Sequence, residues 1–268
     1  WGLSPQDREK WMDGRDVPLI REKKEADVLY WAGCSGAYDT RGKEISQSVV
    51  DVLNKAGVDF ASLGNEETCT GDSARRIGNE YLFQMMATKN METFEKYKFK
   101  KIVTQCPHCL TTLKNDYSEL GASLDVVHHS QYISDLIKDG KIEPEPWMDD
   151  DVTYHDPCYL GRHSGEYDAP RDVIQSIMRD GKLVEMEQNK KESFCCGAGG
   201  GNMWYEIKTG ERINKNRFNQ AVETKAKTVA AACNFCNIML EDGMKVTGND
   251  QDMQVLDIAE MVSKGLSK

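Results

Sequence analysis

Cys195 and Cys196 stand side by side and run into Gly197-Ala198-Gly199-Gly200-Gly201. Neighbouring thiols diverge along an extended backbone, so the pair suits one small tetrahedral ion poorly but can reach different irons of one cluster. Glycine lets a chain turn sharply and come close to a bulky group. Gly197, Gly199, Gly200 and Gly201 are therefore candidate cofactor-contacting positions, with N–H groups that would point at sulfide or thiolate and raise a reduction potential. The run matches neither a dinucleotide loop with an acidic residue about 20 positions on nor a P-loop with its Lys-Ser/Thr. Plainer readings of the stretch are a buried pair of small apolar residues or a flexible glycine loop.

The remaining thiols weigh these readings. Cys34, Cys69, Cys106, Cys109, Cys158, Cys233 and Cys236 complete a set of nine. Cys34 to Cys158 spans 124 positions, Cys69 to Cys195 spans 126, and Cys106 to Cys233 and Cys109 to Cys236 each span 127. Such near-equal offsets mark a duplicated domain, since solenoid units run only about 20 to 50 residues. Each half carries one cysteine, one or two more about 35 residues on, and a Cys-x-x-Cys about 35 beyond that. The second half offers five thiols, Cys158, Cys195, Cys196, Cys233 and Cys236, one too many for a tetrahedral ion and a set that a multi-iron cluster accommodates. Zinc, dithiol-disulfide exchange at a Cys-x-x-Cys, and buried structural thiols remain as alternatives.

Composition bounds the setting. The chain has 268 residues and a formal charge of -10, with a sequence pI near 5.1, which argues against a nucleic-acid partner. No stretch of about 18 apolar residues could span a bilayer directly, and no charged-then-apolar segment opens the chain. A cytoplasmic location is the default expectation, and clustered thiols there favour metal or redox chemistry over disulfide scaffolding. The first residue is Trp1, not Met, so the chain is expected to be part of a longer polypeptide.

The elements that must position these thiols follow from the apolar pattern. Residues 1–26 are polar, with Trp1, Trp11 and Pro18 as isolated anchors, and read as an amino-terminal arm or linker. Residues 27–140 form a first cysteine-rich domain and residues 141–268 a second, with the Pro- and Asp-rich stretch 139–151 joining them. Strands are expected at 27–31, 58–63, 101–104 and 124–128, then at 152–155, 182–186, 228–232 and 253–256. Helices are expected near 49–56, 110–117, 132–137, 171–178 and 210–226, after Cys236, at the carboxyl end, and as one long helix over 73–97. The buried face of that long helix would carry Ile77, Leu82, Phe83, Met85, Met86 and Met91. Alternating strands and helices predict an α/β fold of two tandem, pseudo-two-fold-related parallel-sheet domains. Ligands of such sheets gather outside the carboxyl ends of the strands, where distant thiols can converge.

His155-Asp156-Pro157-Cys158-Tyr159-Leu160-Gly161-Arg162-His163, the Cys-Cys-Gly run and Cys233-Asn-Phe-Cys236 together resemble the cysteine-rich domain found in the B-type component of heterodisulfide reductase and its relatives. The resemblance covers about residues 27–242. Residues 69–84 and 106–117 look more particularly like the carboxyl-terminal part of heterodisulfide-reductase-related iron-sulfur oxidoreductases, which in many bacteria follow a membrane domain and a ferredoxin-like domain. The resemblance implies a non-cubane 4Fe-4S cluster on Cys158, Cys195, Cys196, Cys233 and Cys236. The first half departs from the pattern, because Thr70 stands in the second place of the cysteine pair and a hydroxyl is a poor ligand for iron in a sulfide cluster. Cys34, Cys69, Cys106 and Cys109 are left to hold a second 4Fe-4S cluster of cubane type, a zinc ion, or an altered non-cubane cluster with an open iron.

The function so implied is that of an iron-sulfur redox subunit. It would carry electrons between a protein donor, of electron-transfer flavoprotein or ferredoxin type, and a quinone or other acceptor. Attachment to the inner face of a membrane would come through a partner. Direct reduction of a disulfide by paired clusters, and a zinc-bearing scaffold, are the competing classes. His155, His163 and His108 are weak candidates for proton transfer or hydrogen bonding to cluster sulfurs, against plain roles in capping turns, and Asp156 shares the first of these loops. Arg75 and Arg76 would offset cluster charge or lie on an exposed helix face. Trp204 and Tyr205 read as packing residues, and His128-His129 as a strand end remote from any thiol.

Overall fold

A computed structural model describes residues 4–205 and 209–266, and the chain divides into two units, Trp1–Ile142 and Glu143–Lys268. Trp1 lies outside the described residues.

In the first unit, helix α1 (Ile20–Lys23) precedes strand β1 (Glu25–Trp31). Helices α2 (Gly33–Tyr38) and α3 (Thr40–Lys55) lead to β2 (Phe60–Ser62). Then come α4 (Asp72–Arg76), α5 (Glu80–Phe94), β3 (Lys98–Thr104), α6 (Pro107–Thr111), β4 (Val126–His128) and α7 (His129–Lys138). All strands are parallel, in the order β2-β1-β3-β4, and the apolar ends of β1 and β3 are buried because helices cover the sheet. Asp39 starts α3 by accepting the Gly42 N–H at 3.0 Å, and Ile45, Val49, Val52 and Leu53 form its buried stripe.

Two expectations for this unit need correction. Residues 5–12 are not a free arm: they form a 3-10 helix that packs into the unit, with the Trp11 ring fully buried 5.6 Å from Tyr30. The long helix over 73–97 is broken, because Gly78 adopts φ +88° and the Asn79 side chain caps a new helix by accepting the Leu82 N–H. That break rotates the apolar face. Ile77 and Met85 end up 59% and 53% exposed, while Phe83 is fully buried.

The second unit repeats the order with β5 (Val152–Tyr154), α8 (Ala169–Ile177), α9 (Ile213–Glu223), β6 (Thr228–Ala231), α10 (Asn234–Val246), β7 (Gln254–Asp257) and α11 (Ile258–Leu266). Its parallel sheet runs β5-β6-β7. The strand expected at 182–186 is reduced to a single bridge between Val152 and Leu183. It starts from a turn so tight that a Cβ on Gly181 would stand 2.2 Å from the Asp150 carbonyl oxygen, and two hydrogen bonds with Val152 exhaust the pairing. Residues 143–151 pack onto this unit: Trp147 Nε1 donates to the Met261 carbonyl at 3.0 Å, and Glu145 N–H to that of Gly265 at 3.1 Å.

Candidate metal centres

The second unit gathers its thiols at the carboxyl ends of its strands. Cys158 follows β5, Cys233 follows β6, and Cys236 sits in the first turn of α10. Cys195 and Cys196 arrive on the loop that follows the Leu183 bridge. Cys236 Sγ lies 3.3 Å from Cys196 Sγ, and these two sulfurs and a ring nitrogen of His155 are within 4.8 Å of one another. Cys233 hydrogen-bonds to Cys236, and Cys158 lies in the field of Cys196 and Cys233. Cys195, Cys196, Cys233 and Cys236 are therefore linked in one group with Cys158 beside it.

Negative charge concentrates on one member of the group. Hydrogen bonding from Cys195 and Cys236, with the His155 ring close by, holds the Cys196 thiol far below its ordinary range. Burial and then the charges of Cys196 and Cys233 push Cys158 up to about 11. A thiolate surrounded by donors is the condition under which sulfur binds a soft metal.

The first unit assembles Cys34, Cys69, Cys106 and Cys109 by the same topology, after β1, β2 and β3. Cys34 hydrogen-bonds to Cys69 and Cys106 to Cys109, and the charges of Cys34 and Cys69 reach Cys109. Cys69 is lowered to about 6 by the hydrogen bond from Cys34, and by the Gly71 N–H and the nearby Arg8 cation. Cys106 falls to about 7 through Cys109 and then His108. Thr70 is buried beside them, and its carbonyl accepts from the Tyr117 hydroxyl at 3.0 Å.

The glycine and histidine candidates separate in space. Gly197 donates its N–H to Cys195 Sγ, whereas a Cβ on Gly199 or Gly200 would meet nothing within 4 Å, and Gly201 turns at φ +81°. His155 is buried with its Nδ1 accepting from Arg217 Nε at 2.9 Å. His108 is held through Nδ1 by Asp72 at 3.0 Å, and His163 is exposed and stacks on Tyr159. Trp204 and Tyr205, read as packing residues, are 49% and 69% exposed. Arg75 and Arg76 serve carboxylates: they pair with Asp72, Asp116 and Glu119. Sequence reasoning passed over Arg8 and Glu67, paired at 3.2 Å beside the first site, and Arg217, fully buried beside the second. A lone arginine in a polar stretch or on a helix carries no periodic signal.

The pattern of a cysteine-rich domain, CCG, matches residues 28–114 and again 152–241. The chain belongs to the CCG cysteine-rich domain family. Its second CCG domain has the full Cys-Cys-Gly sequence and its first has Cys69-Thr70-Gly71. The chain is 41% identical over 273 residues to a Bacillus subtilis protein named "Probable iron-sulfur-binding oxidoreductase FadF", covering 99% of this chain and 39% of that one. It is 41% identical over 278 residues to the "EtfAB:quinone oxidoreductase" of Syntrophomonas wolfei, with the same two coverages. It is 36% identical over 272 residues to one of the polypeptides of the dihydromethanophenazine:CoB–CoM heterodisulfide reductase of Methanosarcina barkeri, covering 97% of this chain and 63% of that one. The chain thus spans about two fifths of the first two relatives. In fold it resembles a hypothetical protein from Helicobacter pylori at TM-score 0.58 and 9% identity, covering 91% of this chain and 49% of that one. Both CCG domains suit an iron-sulfur group by donor chemistry: sulfur predominates among the gathered side chains, and soft thiolates are what such clusters bind.

Proposed function

We propose that the chain is the iron-sulfur redox part of a larger oxidoreductase. The second CCG domain holds a non-cubane 4Fe-4S cluster through Cys158, Cys195, Cys196, Cys233 and Cys236. The first holds a 4Fe-4S cubane through Cys34, Cys69, Cys106 and Cys109. The observation that carries this reading is the approach of Cys196 Sγ to Cys236 Sγ at 3.3 Å within a group joined by three further thiols. Five thiols exceed what one tetrahedral ion takes.

A bound cluster supplies one-electron chemistry over a wide range of potentials. The chain's own residues hold it, orient the thiolates and lend N–H groups. The name of the Syntrophomonas wolfei relative supports a protein donor of electron-transfer flavoprotein type and a quinone acceptor, with the remaining relay carried by polypeptide beyond this chain and any membrane attachment made through it. Disulfide reduction at paired clusters is disfavoured by Thr70, which leaves the two sites chemically unequal.

Cys196→Ser in the full chain tests the ligand set. Its expected outcome is loss of the second site's electron paramagnetic resonance signal with the first site's retained. Survival of both signals unchanged would refute the assignment.

A further inference from the structure

Trp31 and His155 occupy the same place in the two CCG domains. The 124-residue offset that relates Cys34 to Cys158 relates Trp31 to His155, and the strands agree, since Trp31 ends β1 and His155 directly follows β5. Both side chains are at least 99% buried. Each carries a ring nitrogen, Trp31 Nε1 and His155 Nε2, that is fully enclosed without a hydrogen-bond partner among the described residues. An unpaired buried donor is costly, by about 1–3 kcal/mol, so two at matching positions ask for an acceptor.

Both rings lie beside thiols. Around Gly33, a Cβ would stand 3.2 Å from Cys109 Sγ and 3.8 Å from Trp31 Nε1, so the indole nitrogen and the thiol sulfur border the same point. In the second domain the imidazole lies against Cys196 and Cys236. Its tautomer is fixed. Arginine Nε can only donate, so the 2.9 Å contact from Arg217 makes His155 Nδ1 the acceptor and leaves the proton on Nε2. A histidine in that state cannot ligate through Nε2, because deprotonating it would move the proton to Nδ1 and set it against the Arg217 N–H.

We propose that Trp31 and His155 are equivalent N–H donors, one per domain, to the cysteine sulfurs of the two metal centres, with Arg217 as the positioning residue that makes His155 a donor and excludes it as a ligand. This rests on the iron-sulfur reading above. Hydrogen bonds to sulfur withdraw charge from a cluster and raise its potential.

In the full chain, Trp31→Phe should lower the potential of the first centre alone, and His155→Phe that of the second alone, with iron content unchanged in each. Arg217→Lys, which keeps a donor, should hold the second centre nearer its original potential than Arg217→Met. Equal potentials in the assembled variants, or loss of iron in His155→Phe, would overturn the proposal. Should a variant fail to fold, two measurements need no substitution. Nitrogen NMR of metal-free, 15N-histidine-labelled chain should find His155 protonated at Nε2, and protonation at Nδ1 would overturn the assignment. Pulsed electron paramagnetic resonance of the labelled, cluster-bearing chain should show the weak nitrogen coupling of a hydrogen bond. A coupling of ligand size, or none, would overturn the inference while leaving the cluster in place, whereas a chain without iron would sink the cluster reading itself.

Discussion

The Gly197 N–H donates to Cys195 Sγ at 3.2 Å, and Gly197 makes that contact from φ +96°. Gly71 does the same for Cys69 at 3.4 Å and φ +88°. The turn therefore depends on glycine in both domains, whatever stands between cysteine and glycine. Left-handed backbone strains other residues by roughly 1–3 kcal/mol. Gly71→Ala is expected to be the worse of the two substitutions, since its Cβ would press within 2.9 Å of the buried Phe83 ring and near Phe83 backbone, against 3.3 Å at Gly197. Anaerobic urea unfolding should rank them in that order, and equal, unchanged midpoints would contradict the account of the turn.

Asp156 anchors the loop that brings in Cys195 and Cys196. It takes a two-pronged pair from Arg171 at 2.7 and 2.9 Å, accepts the Lys190 N–H at 2.7 Å, and offers its carbonyl to Ser193 Oγ. Its side chain is 2% exposed and that of Arg171 12%. Removing one partner of a buried pair leaves the other unpaired, at roughly 3–5 kcal/mol. Asp156→Ala should therefore destabilise the chain by about that amount and reduce metal retention at the second site. A loss confined to catalysis, with stability intact, would show that Asp156 acts in proton transfer.

Much of this was legible in the sequence because its signals are local. The short apolar runs ending at Trp31, Thr104 and Ala231 announce strands, each within a few residues of a cysteine. The equal spacing of cysteines announces the duplication. What failed depended on contacts across the chain. The Ile77-Gly78-Asn79 stop and restart sits inside a stretch whose composition still reads as helix, so the pattern points Ile77 and Met85 to the core although both are exposed. The segment 182–186 has strand composition, yet its pairing is cut short by turns on either side. Arg217 is assigned its role only once α9 lies over His155, and no spacing rule links positions 62 residues apart.

The amino-terminal segment is polar in composition yet packs into the first unit, and its energetics are testable. Its Arg8 is buried, donating from Nε to the Glu67 carbonyl at 2.7 Å and pairing with the Glu67 carboxylate at 3.2 Å. Glu67 in turn accepts the Gly33 N–H at 3.0 Å, next to Cys34. Burial, only partly offset by Arg8, still pushes Glu67 up to about 7. Arg8→Ala should cost roughly 3–5 kcal/mol, far more than Arg179→Ala, whose partner Asp149 is on the surface. Denaturation midpoints of the two variants give the comparison, and similar values would mean that the segment does not support the first site.

Iron, acid-labile sulfide and zinc, measured together on anaerobically purified protein, test the central claim most directly. The account predicts about eight irons and eight sulfides per chain, as two four-iron clusters require, and no stoichiometric zinc. About two zinc ions per chain with neither iron nor sulfide would contradict it.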